Sequence, residues 1–217
     1  MMLSETALSK EDMSAAQTSE QALLDGLRSR ITAVPRALID PGPTERELEI
    51  IVSAALFAFD TDEIRPWRLI SISAKAMDGL AELLMHAKAR RVLGSVSESH
   101  ESDRAMKWHA PAQIAVVVRL DPEGHDAPLR DQYLAVGAAI QNLLLSAHAL
   151  GYGATLSTGD EMRDTDIVKA LGIGWNEKLI GFVSFGTCPE PARPRYRPKL
   201  KDYLTNWPGP EPAAKNR

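Results

Sequence analysis

Apolar residues recur at helical spacing in four stretches of the chain. Ala22, Leu23, Leu24 and Leu27 predict a short helix ending near Ser29. Leu48, Ile51, Val52, Ala55 and Leu56 predict an amphipathic helix over 44–57, and Thr44 with Glu47 has capping-box spacing at its start. Met77, Leu80, Leu83 and Leu84 place one face of a helix over 74–91. Residues 131–150 are apolar nearly all round, interrupted by Gln141, Asn142, Ser146 and His148, which predicts a buried helix.

Strand patterns fall between these helices. Residues 67–73 alternate, and Gln113 to Val118 is a continuous β-branched run expected in the interior of a sheet. Lys178 to Phe185 is the last clear strand. Gly151 and Gly153 stop the long helix, and Thr155 to Gly159 reads as a turn. A helix near 164–171 follows, with Gly172 as the glycine that ends it. Residues 94–107 are polar and irregular, the pattern of a lid-like segment. Residues 1–19 read as a flexible arm, 20–207 as one domain, and 208–217 as a tail among seven prolines beyond Cys188. Few strands separated by helices imply an α+β or α/β layer architecture with one sheet.

Composition adds exclusions. The chain has 217 residues, 44% hydrophobic and 25% charged, which excludes a fibrous or wholly disordered protein. Its 25 basic and 29 acidic residues give 25 − 29 = −4, against the basic surface a nucleic-acid binder needs. The single cysteine, Cys188, rules out an internal disulfide and a cysteine-based zinc site within one chain. No apolar run reaches membrane-spanning length and the start lacks a signal-peptide core, so a cytoplasmic location is expected.

No motif supplies a catalytic acid, nucleophile or metal site. The glycines at 151–159 match neither a dinucleotide fingerprint nor a phosphate loop. None of the five histidines forms a His-x-x-x-His pair. His148 is expected to be a hydrogen-bonded core residue, and no Gly-x-Ser-x-Gly elbow exists. Arg28, Arg30 and Arg36 with Ser29 and Thr32 form a group able to clamp a phosphate, or else a solvated helix end. The basic strip Arg193, Arg195, Arg197, Lys199 and Lys201 could bind an anion, but a solvated tail is the preferred reading.

Five segments in register resemble the FMN-dependent nitroreductase family, in its small single-domain branch. They are Leu38 to Glu45, Arg65-Pro-Trp-Arg-Leu69, His109 to Val118, Ala138 to Ala154, and Ile180 to Thr187. The resemblance implies an α+β nitroreductase-like fold with a central mixed or antiparallel sheet flanked by helices. It implies a homodimer with FMN at the interface, reduced by NADH or NADPH in a ping-pong cycle. Nitroaromatics, quinones and similar acceptors are the implied substrates, and no catalytic side chain is required.

Carried onto this chain, the resemblance assigns cofactor binding to Arg30, Thr32, Thr61, Leu156, Ser157 and Thr158. A shifted register substitutes Arg28 and Ser29 for the first pair. Pro66 and Trp67 belong to the same implied cradle. The chain departs from the family at Ile31, Phe57 and Ser157, where relatives carry arginine, and at Thr61, where they carry histidine. Those departures leave a second reading open: a family fold that became a binding or regulatory module with weak or no flavin.

Overall fold

The computed structural model describes residues 10–60, 63–91, 110–121, 123, 127–189 and 196–209. Helix α1 spans Lys10–Ser29 and α2 spans Glu45–Ser53. Then come β1 (Trp67–Ile72), α3 (Ala74–Arg91), β2 (Ala112–Arg119) and the long α4 (Leu129–Ala149). The strand β3 (Gly153–Ser157), short α5 (Thr165–Ala170) and β4 (Glu177–Gly186) complete the core. The four strands lie in the order β1-β2-β4-β3, and every neighbouring pair is antiparallel. Of the two sheet types the sequence left open, the antiparallel one is found.

The two sides of the sheet carry separate apolar layers. Ile114, Val116, Val118, Val183 and Phe185 pack against α2 and α4. Ala115, Val117, Leu179 and Phe182 pack against α3 and α5. This double coverage explains why β2 lacks hydrophobic alternation. Burying each large side chain completely contributes roughly 1.5–3 kcal/mol, so the central strands dominate the core.

Local chemistry sets the helix ends. Thr44 Oγ1 accepts from the amide of Glu47 at 3.3 Å, and the Glu47 carboxylate accepts from the Thr44 amide at 2.8 Å. The Tyr152 hydroxyl donates to that carboxylate at 2.9 Å, tying α2 to the chain beyond α4. These bonds, from Thr44 first, hold the Glu47 carboxyl below its ordinary range. Gly172, at φ +59, follows α5 in the left-handed conformation expected of a helix-ending glycine.

Several expectations are corrected. Helix α1 begins at Lys10, well before Ala22. The α2 segment is α-helical only to Ser53 and tightens into a 3-10 turn over Ala54–Phe57. Residues 153–157 are a strand rather than a turn, because β4 offers them a ladder that propensity alone does not reveal. Helix α4 is not enclosed on all sides: Leu134 is 58% exposed, and Gln141 is exposed on the same face. Trp67 is buried in the α2–α4 layer. Residues 94–107 lie outside the described residues.

An ion-pair cluster joins β1, β2 and β4. Glu177 accepts from Arg68 Nη2 at 2.7 Å, Arg68 Nε at 3.0 Å and Arg119 Nε at 2.9 Å. Its side chain is 8% exposed. The Arg68 guanidinium, ahead of the other donors, lowers the carboxyl from 4.5 to about 2. A depressed carboxyl stabilises the fold above its unfolded value and ceases to do so as pH falls through its folded value. Glu177 therefore contributes fully above pH 4.5 and loses its contribution between pH 4.5 and about 2. Glu177→Gln is expected to cost about 2–3 kcal/mol at pH 7 in denaturant titrations. The variant's stability should also depend less on pH across that acid window. An unchanged acid limb would mean that the cluster is energetically silent.

Candidate functional site

The segment after α1 runs along the outer side of β3. Ala33 donates its amide to the Ala154 carbonyl at 3.1 Å, fixing residues 32–35 beside residues 154–158. Between them lies an open pocket of about 400 Å³. Thr32, Thr155, Leu156, Ser157 and Thr158 line it, with Val34 and Pro35. Four of its side chains carry hydroxyls.

The segment is held at its far end as well. Ile39 and Thr187 exchange backbone hydrogen bonds of 2.9 and 2.8 Å, and Thr187 Oγ1 donates to the Pro41 carbonyl at 2.6 Å. The pocket wall is thus tied to β4 through one end and to β3 through the other.

Four of the six predicted site residues, Thr32, Leu156, Ser157 and Thr158, meet in this one pocket. A fifth stands beside it: Arg30 Nη1 donates to Thr32 Oγ1 at 3.4 Å, a long contact between half-buried groups. Thr61 lies outside the described residues. The alternative pair is engaged elsewhere. Arg28 approaches Asp25 at 3.8 Å, and Ser29 Oγ lies 2.9 Å from His148 Nε2. His148 is hydrogen-bonded as expected, but it is half-buried and joins α4 to α1 rather than lying in the core.

Sequence reasoning assigned Arg197 to a solvated tail. Its guanidinium Nη2 donates to the Arg30 carbonyl at 3.0 Å. Two arginines from opposite ends of the chain therefore converge on residues 30–32. No sequence signal links positions 167 residues apart. The basic strip could have been matched only to an unmet need for charge.

A buried polar row leads across the sheet to the same place. Gln113, Ser184 and Thr155 are in register on β2, β4 and β3, and all three are buried. Gln113 Nε2 donates to Ser184 Oγ at 3.0 Å, while Gln113 Oε1 has no partner among the described residues. Sequence reasoning passed over this row because Gln113 and Ser184 each stand within an apolar strand and Thr155 within a segment read as a turn.

The donor set fits a ligand with a phosphate at one end and polar groups along its length. Arg30 and Arg197 supply positive charge, Thr32 a hydroxyl, and β3 further hydroxyls. Among the described residues, no cluster of three His, Cys, Asp or Glu side chains is placed to hold a metal ion.

Known proteins resemble this chain in sequence and in fold. The model of the nitroreductase family matches residues 35–187. A Haemophilus influenzae protein, named provisionally as an NAD(P)H nitroreductase, is 29% identical over 171 residues, covering 78% of this chain and 92% of that protein. A nitroreductase-like family protein from Bacillus cereus superposes with a TM-score of 0.71 at 18% identity, covering 96% of this chain and all of that one. A nitroreductase with bound FMN from Bacteroides fragilis superposes with a TM-score of 0.64 at 20% identity, covering 85% of this chain and 98% of that one.

The pocket depends on a close approach between β3 and β4. A Cβ at Gly181 would collide with the carbonyl oxygen of Ser157. Gly181→Ala is expected to cost about 1–3 kcal/mol in chemical denaturation. Gly79→Ala is the control, since nothing lies within 4 Å of its added methyl group. It should leave stability unchanged or raise it by up to about 1 kcal/mol. Equal behaviour of the two variants would contradict the close packing at the end of β3.

Proposed function

This chain belongs to the nitroreductase family, and from that premise we propose that it is an FMN-dependent oxidoreductase. In this reading NADH or NADPH supplies the electrons, and a nitroaromatic, quinone or related acceptor receives them. The observation that carries the proposal is the convergence of Arg30, Thr32 and Arg197 beside the hydroxyl-lined pocket. The same flavin is present in solved relatives such as the Bacteroides fragilis nitroreductase.

Each residue has a binding role rather than a chemical one. Arg30 and Arg197 would hold the phosphate by charge, and Thr32 would donate its hydroxyl. Leu156 would offer an apolar surface to the ring system, and Ser157 and Thr158 would supply backbone amides and hydroxyls. Thr61 belongs to the proposed set through the family resemblance. FMN when bound supplies hydride acceptance and donation, which the side chains described here do not provide. The protein's part is to fix orientation and to limit access of water.

The working unit is proposed to be a homodimer in the cytoplasm. Support comes from apolar side chains left in solvent by the single chain. Phe57 is 84% exposed, and a groove of about 590 Å³ between α1 and α4 is walled by Leu23, Leu27, Phe57 and Leu145. Apolar patches of this extent on soluble proteins commonly mark association surfaces.

The direct test is the colour of the purified protein and a titration of its flavin-free form with FMN. Arg30→Ala and Arg197→Ala should each weaken FMN by about tenfold or more, the loss of one charge-assisted hydrogen bond worth about 1.5–3 kcal/mol. Colourless protein that ignores micromolar FMN would leave the binding-module reading in its place. Sedimentation should give twice the 23.7 kDa chain mass. A monomer at micromolar concentration would end the dimer proposal.

A further inference from the structure

A larger cavity, of about 650 Å³, opens where β4 runs on past the end of β3. Tyr133, Thr158, Gly159, Arg163, Glu177 and Lys178 contribute to its wall. Strand β3 pairs with β4 only from Phe182 to Gly186, so that edge of β4 has no partner strand over residues 177–181. Thr158 borders this cavity and the hydroxyl-lined pocket alike. A single ligand can therefore extend from one into the other.

The electrostatics of the wall are one-sided. The side chains of Arg163 and Lys178 are exposed and have no hydrogen bond or ion pair among the described residues. The one carboxylate of the wall, Glu177, is already engaged by Arg68 and Arg119. The wall itself carries two cations, Arg163 and Lys178, against this one engaged carboxylate. Asp160 and Glu161 belong to the same turn as Arg163 and do not line the wall, although the buried Glu161 carboxylate packs behind Gly159 of the wall. Two cations without a partner among the described residues, facing one concave surface in a chain of net charge −4, are a local departure from the global balance. Such a surface concentrates anions.

The geometry points to an oxyanion-binding pocket, formed by Arg163 and Lys178 with the Tyr133 hydroxyl. Its ligand is a phosphate or carboxylate group on a molecule whose other end reaches the neighbouring pocket. That last clause rests on the flavin reading; the anion site itself does not. The guanidinium would take two oxygens in its fork and the ammonium a third as a point charge. The two sources of such a group are the pyrophosphate of a nicotinamide dinucleotide and the carboxylate of an acidic acceptor.

Calorimetric titration of the purified full chain, with no flavin added, tests this with three probes. These are inorganic pyrophosphate, 4-nitrobenzoate and neutral nitrobenzene. At least one anion is expected to bind, more weakly as salt rises. The double variant Arg163→Gln/Lys178→Gln should weaken that binding at least tenfold and leave any nitrobenzene binding unchanged. Pyrophosphate alone identifies the dinucleotide as the source, and 4-nitrobenzoate alone the acceptor; either outcome supports the site. If neither anion binds the wild type more tightly than the double variant, the proposal fails. Both substitutions replace exposed side chains, and an unchanged melting temperature checks the fold. Lys178→Gln alone, with a smaller loss expected, serves if the pair is unstable. FMN affinity should be the same in wild type and double variant, so loss of the flavin reading and loss of this one are distinguishable.

Discussion

Strand β4 is twice as long as the strand on its outer edge, ten residues against five, and that mismatch organises the functional side of the molecule. Where β3 is present, it supplies an edge on which residues 32–35 can settle through the Ala33–Ala154 hydrogen bond. Where β3 is absent, β4 keeps one edge open beside α4 and the turn that follows β3. Both cavities arise from one strand ending at Ser157. Gly181 permits this ending, because it lets the Ser157 carbonyl come close to the β4 backbone. Regular pairing along all of β4 would close one cavity and displace the wall of the other.

The rest of the fold serves to hold β4 still. It is buried from both sides by separate apolar layers and paired to β2 along its length. Its first residue is clamped by two arginines, Arg68 from β1 and Arg119 from the adjacent β2. A strand fixed in that way can carry an irregular edge without losing register. Rigidity in the scaffold and irregularity at the rim are the usual division in proteins that bind small ligands.

Most of the scaffold was legible in the sequence because its signals are local. The Thr44–Glu47 box, the helical stripe over 74–91, the β-branched run of β2 and the stop at Gly172 each lie within one element. Strand β3 was not legible. Gly-Ala-Thr-Leu-Ser has weak strand propensity, begins with a glycine and closely follows Gly151, so its conformation is set by the partner strand. The site divides in the same way. Thr32 and residues 156–158 were reachable through their segments' resemblance to a family. Arg197, the Gln113–Ser184–Thr155 row and the cavity-lining cations Arg163 and Lys178 acquire meaning only when distant segments meet.

The contact between Arg197 and the Arg30 carbonyl makes the pocket rim a junction between the first helix and the last described segment. All four strands and both apolar layers lie within residues that precede Arg197. A chain cut between Thr187 and Arg197 would keep its sheet and its core, yet lose one of the two guanidinium groups at the rim. Folding competence and ligand competence therefore map to different lengths of the same polypeptide. Intact secondary structure in a shortened product would be no guarantee that it still binds.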